Sequence, residues 1–238
     1  MLKYLLAKLL RHPVWTIRQA VYKTLIGPLK YRRGKGYDAG RYWSDRFSRY
    51  GMAGRGAGDE GLTDEENRRA FEPAGRRFLE LCRAQGVDFP AAAVLEIGVG
   101  TGLYTELLRG AGVRRYLGLD ITDVLFGRLQ RQFPEYNFSR CDVTTDKIDG
   151  QFDLIVMMDV IEHIVEAPKL AAAMANLRGC LAEGGLLFLS GVSSKTKRYL
   201  FYVKGWSAAD VLKHFPGYAQ KGPLPYRQNN LLILRRPE

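Results

Sequence analysis

The stretch Ala91 to Gly112, "AAAVLEIGVGTGLYTELLRGAG", constrains the fold of this chain more than any other. Val94 to Ile97 reads as a short buried strand and Leu103 to Arg109 as the start of a helix, with Gly98, Gly100 and Gly102 crowded into the turn between them. Glycines there let backbone and ligand approach closely, and the following helix offers N–H groups without partners, so something polar is expected on that turn. The spacing is GxGxG preceded by Glu96, not the GxGxxG of dinucleotide sites, and no GxxxxGK[ST] phosphate loop occurs in the chain. A second strand, "YLGLDIT", ends in Asp120, where a carboxylate is placed to accept hydrogen bonds from ribose hydroxyls.

The rhythm continues. "YNFSRCDVT" predicts a third strand ending near Asp142, "QFDLIVMMDV" a fourth, Ala167 to Leu181 a helix, and "GGLLFLSGV" a fifth strand. Strands alternating with helices at this spacing imply a parallel, doubly wound α/β sheet with its ligand at the strand C-termini, where Glu96, Asp120, Asp142 and Asp159 fall.

The net charge of +11 is uneven: residues 1–37 carry +9 with no acid, residues 192–222 carry +5, and the remainder is mildly acidic. In the N-terminal arm Leu2, Leu5, Leu6, Leu9 and Leu10 mark one helical face, and Val14, Ile17, Val21, Leu25 and Ile26 form a second apolar series expected to end at Gly27-Pro28. No apolar run approaches the ~18 residues of a spanning helix, and lysines interrupt any signal-peptide core. Residues 1–36 are read as an arm that lies on an anionic membrane surface, or else buries its leucines on the body of the protein or in a homodimer. Three scattered cysteines, Cys82, Cys141 and Cys180, suggest neither disulfides nor a zinc knuckle, which fits a reducing cytoplasm.

Taken in order, "VLEIGVGTG", "LGLDIT", "CDVT" and "FDLIVMMDVIEHI" resemble successive motifs of the class I S-adenosylmethionine-dependent methyltransferases, over roughly residues 90–195. The resemblance implies a Rossmann-like, seven-stranded doubly wound sheet, mostly parallel, whose last strand, "NLLILRRP", is antiparallel. It also implies residue roles: Gly98, Gly100 and Gly102 against the methionine part of S-adenosyl-L-methionine with Glu96 ordering their loop; Asp120 on the ribose and Ile121 on the adenine; Asp142 and Val143 at the adenine edge; Met157, Met158 and Asp159 on the methionine and acceptor side. Tyr42 and Arg46, from a lid-like segment spanning residues 37–62, are expected near the cofactor carboxylate. Thr63 and Glu66 form a capping-box signature for the helix that follows.

His163 is the natural candidate for a catalytic base, with a structural hydrogen-bonding role as its alternative. Asp159, Glu162 and His163 also resemble the metal cluster of ubiquinone-pathway O-methyltransferases and small-RNA 3′-end methyltransferases, with His214 as a fourth ligand. The first acid is Asp where those enzymes have Glu, one carbon shorter, so a divalent metal is not favoured.

The chain is thus divided into the arm, 1–36, and a methyltransferase domain, 37–238, with N-terminal helices and a lid over 37–90 and an aromatic, basic acceptor-side cap over 192–225. The expected activity is methyl transfer, O-methylation favoured, to a small-molecule acceptor that is lipid-like or membrane-associated, by a cytoplasmic protein peripheral to the membrane's inner face. The alternatives are an RNA methyltransferase using the basic segments and a non-catalytic cofactor-binding interaction protein.

Overall fold

The computed structural model describes residues 13–34 and 36–238. The leucine helix expected over residues 2–10 lies outside the described residues. The second apolar series forms α1 (Pro13–Val21), a π-helical turn (Tyr22–Ile26) and α2 (Gly27–Lys30). The helical path therefore passes through Gly27-Pro28 instead of stopping there. Pro28 falls in the first turn of α2, where a missing N–H costs little.

A two-stranded ribbon, β1 (Arg32–Arg33) and β2 (Gly36–Tyr37), leads into helices α3 (Ala39–Tyr50), α4 (Gly54–Ala57) and α5 (Asp64–Ala84). The capping box is present: the Glu66 N–H donates to Thr63 Oγ1 at 3.2 Å and the Thr63 N–H to Glu66 Oε2 at 2.8 Å. The segment 37–62, read as a lid, is largely helical.

The sheet contains β3 (Ala93–Ile97), β4 (Arg115–Asp120), β5 (Asn137–Arg140), β6 (Phe152–Met157), β7 (Leu181–Ser193), β10 (Ala219–Tyr226) and β11 (Asn229–Arg235), in the order β10-β11-β7-β6-β3-β4-β5. Neighbours from β5 to β7 are parallel, and β11 runs antiparallel to both β7 and β10. The seven strands of this path, mostly parallel with an antiparallel last strand, are as expected, and two further short strands bring the sheet to nine. Helices α6 (Leu103–Gly110), α7 (Phe126–Gln132) and α8 (Ala167–Cys180) cross between strands. A short hairpin, β8 (Lys197–Leu200) and β9 (Val203–Ser207), and α9 (Ala208–Leu212) follow β7, with β9 pairing parallel to its end.

Strand periodicity divides the interior. Val94, Leu154, Val156, Leu186 and Phe188 face Phe78, Leu81, Tyr104, Leu108 and Leu129 in one layer. Leu95, Ile97, Ile155, Met157, Leu187 and Leu189 face Leu170, Ala173, Met174 and Leu177 in the other. Each fully buried leucine there is worth roughly 1.5–3 kcal/mol of transfer free energy. A third cluster, Tyr31, Tyr37, Tyr42, Val165 and Tyr202, joins the arm to the strand ends. The chain passes from β3 through β4 to β5 and returns at β6, on the other side of β3. That reversal opens a crevice above β3, where a ligand site belongs.

Candidate active site

A cavity of about 910 Å³ fills this crevice, within the range of sites that enclose a cofactor-sized ligand. Its floor is the glycine turn. Gly98 has φ +77°, and a Cβ there would lie 2.3 Å from Val160 Cγ2, so both backbone angle and space require glycine. The Gly100 N–H donates to Asp120 Oδ2 at 3.0 Å, and the Thr122 N–H to Oδ1 at 3.2 Å. Burial pushes the Asp120 carboxyl up to about 6, against the pull of these N–H groups.

Ile97 to Thr101 and Asp120 to Asp123 line the cavity, as do Asp142, Val143, Met158, Asp159 and His163. The structure thus brings together Gly98, Gly100, Asp120, Ile121, Asp142, Val143, Met158, Asp159 and His163. Asp142 also closes a local turn, its Oδ1 accepting the Thr144 N–H at 2.9 Å and hydroxyl at 2.7 Å.

Several expected contributors stand elsewhere. Gly102 is not on the cavity wall: it precedes α6 at φ +80°, and a Cβ would lie 2.8 Å from Leu129 Cδ2, so it permits close packing of α6 on α7. Met157 is fully buried in the layer under α8. Glu96 is buried behind the turn, its Oε2 accepting from the Thr105 hydroxyl at 2.9 Å and the Tyr116 hydroxyl at 2.7 Å. It orders the turn through the helix that follows, and burial raises its carboxyl to about 8.

Tyr42 and Arg46, expected beside the cofactor carboxylate, do not line the cavity. The buried Arg46 guanidinium donates to the carbonyls of Gly56 (2.7 Å), Arg55 (2.9 Å) and Gly58 (2.6 Å) and to the Tyr42 hydroxyl (3.2 Å). Its effect on the site is indirect: it draws α4 over the glycine turn, so that a Cβ on Gly100 would lie 3.4 Å from Ala57 Cβ. The same helix α3 that carries Arg46 turns Trp43, Ser44 and Phe47 into the cavity, and Ser44 Oγ donates to Thr122 Oγ1 at 2.8 Å.

His163 ends a 3-10 turn (Ile161–His163) after β6. Its Nδ1 lies 2.9 Å from the carbonyl of Tyr202. A carbonyl only accepts, so Nδ1 carries the proton and Nε2 keeps its lone pair. Trp43 meets the ring edge-on at 4.8 Å, and Tyr202 is stacked at 5.9 Å. Burial lowers the imidazole to about 4, so it is neutral at physiological pH. The neighbouring Asp159 has φ +56°. Its N–H donates to Ser190 Oγ, whose hydroxyl donates back to Oδ1, both at 2.8 Å. Arg227 forms an ion pair with Oδ2 and lies over the Phe71 ring at 3.7 Å.

The metal cluster is not formed: among the described residues no three of His, Cys, Asp and Glu are gathered to hold an ion. Asp159 is taken by Ser190 and Arg227, Glu162 Oε2 accepts from Asn229 at 2.9 Å, and Glu162 does not reach the cavity wall. Burial and the nearby Asp159 raise Glu162 to about 8. His214 stands beside Arg178 of α8, its carbonyl accepting from Nη1 at 2.9 Å.

The cap expected over 192–225 contributes nothing to the cavity wall. Its Tyr202, Trp206 and Phe215 are buried, which withdraws them from stacking on nucleic-acid bases. They brace the site from behind, the Trp206 indole N–H donating to the Ile164 carbonyl at 2.7 Å. The wall is completed by residues outside the expected set, Trp43, Phe47 and Phe71. The i, i+4 spacing of Trp43 and Phe47 was the available signal; Arg227, 68 residues from its partner Asp159, had none.

Residues 64–221 match the family described as a methyltransferase domain. A ubiquinone biosynthesis O-methyltransferase from Aromatoleum aromaticum is 31% identical over 129 residues, 52% of this chain and 53% of that protein. Nodulation protein S from Bradyrhizobium diazoefficiens is 29% identical over 119 residues, 48% of this chain and 54% of that protein. The chain therefore spans about half the length of the curated relatives it matches. Among solved structures, magnesium protoporphyrin IX methyltransferase from Synechocystis PCC 6803, with bound SAH, superposes at a TM-score of 0.60 and 18% identity, covering 93% of this chain and 99% of that one. The N-methyltransferase NodS from Bradyrhizobium japonicum WM9 superposes at 0.56 and 21% identity, covering 70% and 98%. At these identities the superpositions establish a shared fold.

Proposed function

This chain belongs to the methyltransferase-domain family, and on that premise we propose that it transfers a methyl group from S-adenosylmethionine to a hydroxyl of a small acceptor that is lipid-like or membrane-associated. The observation that carries the reading is the convergence on one cavity of the Gly98–Gly100 turn, the Asp120 carboxylate and His163. The donor set fits the cofactor: an acid for ribose hydroxyls, a turn that a Cβ at Gly98 would block, and apolar Ile121 and Val143 for a purine ring. When bound, S-adenosylmethionine supplies a methyl group on a sulfonium centre, open to in-line displacement.

The chain's own residues do the rest. Asp120 would hold the ribose of the cofactor, and Gly98 and Gly100 would lie against its methionine portion. His163 Nε2, unprotonated because Nδ1 is committed to Tyr202, takes the proton from the acceptor hydroxyl. Asp159, fixed by Ser190 and Arg227, stands on the acceptor side. Trp43, Phe47 and Phe71 exclude water from the enclosure. We assign this work to residues 37–238, with 1–36 as an arm that meets the membrane.

Among the described residues no helix is long and apolar enough to cross a membrane. Support for a lipid-like acceptor comes from the amphipathic arm and from the O-methyltransferase relatives. Titration calorimetry with S-adenosylhomocysteine tests the cofactor site, and absence of binding heat sinks the reading. Tritiated S-adenosylmethionine incubated with isolated bacterial membranes should label solvent-extractable material, and His163→Ala should abolish the labelling.

A further inference from the structure

Among the described residues, the large exposed apolar side chains are concentrated in one place. Val14, Ile17, Val21, Leu25, Ile26 and Leu29, all on the arm, are 41–78% exposed; elsewhere among the described residues only Val124 and Tyr199 are large, apolar and exposed. The arm is not a loose helix. Gly27 is buried where a Cβ would lie 2.6 Å from the Phe201 ring, the Tyr22 and Tyr31 hydroxyls meet at 3.1 Å, and Lys23 pairs with Glu60 at 3.3 Å. With that face anchored to the body, the apolar stripe is held outward.

Cations surround the stripe. Arg18, Arg32 and Arg33 are exposed, and residues 1–37 contain no acid. The hairpin segment that bears Phe201 carries Lys195, Lys197, Arg198 and the exposed Tyr199. The arm also ends at the site: Arg33, Tyr37 and Asp38 line the cavity. A second copy packed arm to arm would bring these cations together without counter-charge, whereas an anionic bilayer supplies both an apolar layer and phosphates.

We propose that the arm face docks on an anionic lipid surface and so presents the cavity mouth to it. The inference deepens the proposed function, because an acceptor resident in the bilayer then meets the cavity wall at Arg33 and Tyr37 without crossing water.

The test is cosedimentation of the full chain with sucrose-loaded vesicles. Vesicles of phosphatidylglycerol and phosphatidylcholine should carry the protein down, with at least tenfold weaker binding to phosphatidylcholine alone. The triple variant Ile17→Glu, Leu25→Glu, Leu29→Glu should lose that binding tenfold or more while retaining wild-type affinity for S-adenosylhomocysteine, which reports an intact fold. The exposed pair Arg18→Glu, Arg32→Glu should also weaken binding at least fivefold, and it keeps the test decisive if the triple variant misfolds. The proposal is overturned if the wild type stays in the supernatant, if a folded variant sediments like the wild type, or if light scattering finds a dimer that the triple variant dissolves. Loss of S-adenosylhomocysteine binding in the wild type, with vesicle binding intact, would instead remove the methyltransferase reading alone.

Discussion

Asp120 carries two loads on one carboxylate. It accepts the N–H groups of Gly100 and Thr122, which shape the turn, and it is the acid available for ribose hydroxyls. Because burial holds it at about 6, cofactor affinity should depend on pH in a range where few carboxylates titrate. If only the ionised form binds, S-adenosylhomocysteine affinity falls about tenfold for each pH unit below that value; calorimetry at pH 5 and pH 8 checks this. Asp120→Asn should weaken binding roughly 10- to 100-fold at pH 8, the cost of replacing a charged acceptor. His163 contrasts with it. Its imidazole is lowered to about 4, so kcat at saturating cofactor should stay level down to about pH 5 and not decline through the ordinary histidine value near 6.5. His163→Ala should lower kcat by about 10²- to 10⁴-fold with cofactor affinity unchanged.

At the scale of elements, Glu96 ties β3 to β4 and α6 through Tyr116 and Thr105. Its carboxyl moves from 4.5 unfolded to about 8 folded, so its contribution to stability is full below about 4.5 and is lost as pH rises through about 8. The full effect is on the order of 5 kcal/mol. Glu96→Gln keeps an oxygen to accept both hydroxyls and removes the titration. Its Tm relative to wild type should therefore climb between pH 6 and pH 9 in calorimetric scans. The sheet, its strand ends and the Gly98, Asp120 and His163 positions were legible in the sequence because each depends on local pattern: alternation, glycine spacing, an acid ending a strand. The carbonyl partners of Arg46 were not legible, because an arginine's direction is set by which carbonyls the fold brings near it. The 192–225 segment misled for a similar reason, since aromatic and basic residues look alike in sequence whether they face a ligand or brace a helix from behind.

The whole molecule combines a sheet closed by two apolar layers with a third, aromatic cluster that fastens the arm and α3 beside the cavity. The walls contributed by α3, α4 and α5 come from outside the sheet, so cofactor binding should tighten those helices onto it. At 100 times its Kd, S-adenosylhomocysteine should add about 2.7 kcal/mol, read as a rise of roughly 5–10 °C in Tm. The greatest slowing of amide hydrogen exchange is expected in residues 39–58. The group that orients His163 is the backbone carbonyl of Tyr202, which every amino acid possesses. Substitution at position 202 changes the stacked ring but leaves the acceptor, whereas an insertion or deletion in the β8–β9 hairpin moves it. Sequence drift at this position is thus compatible with a working histidine, while the length of the hairpin is not free to change.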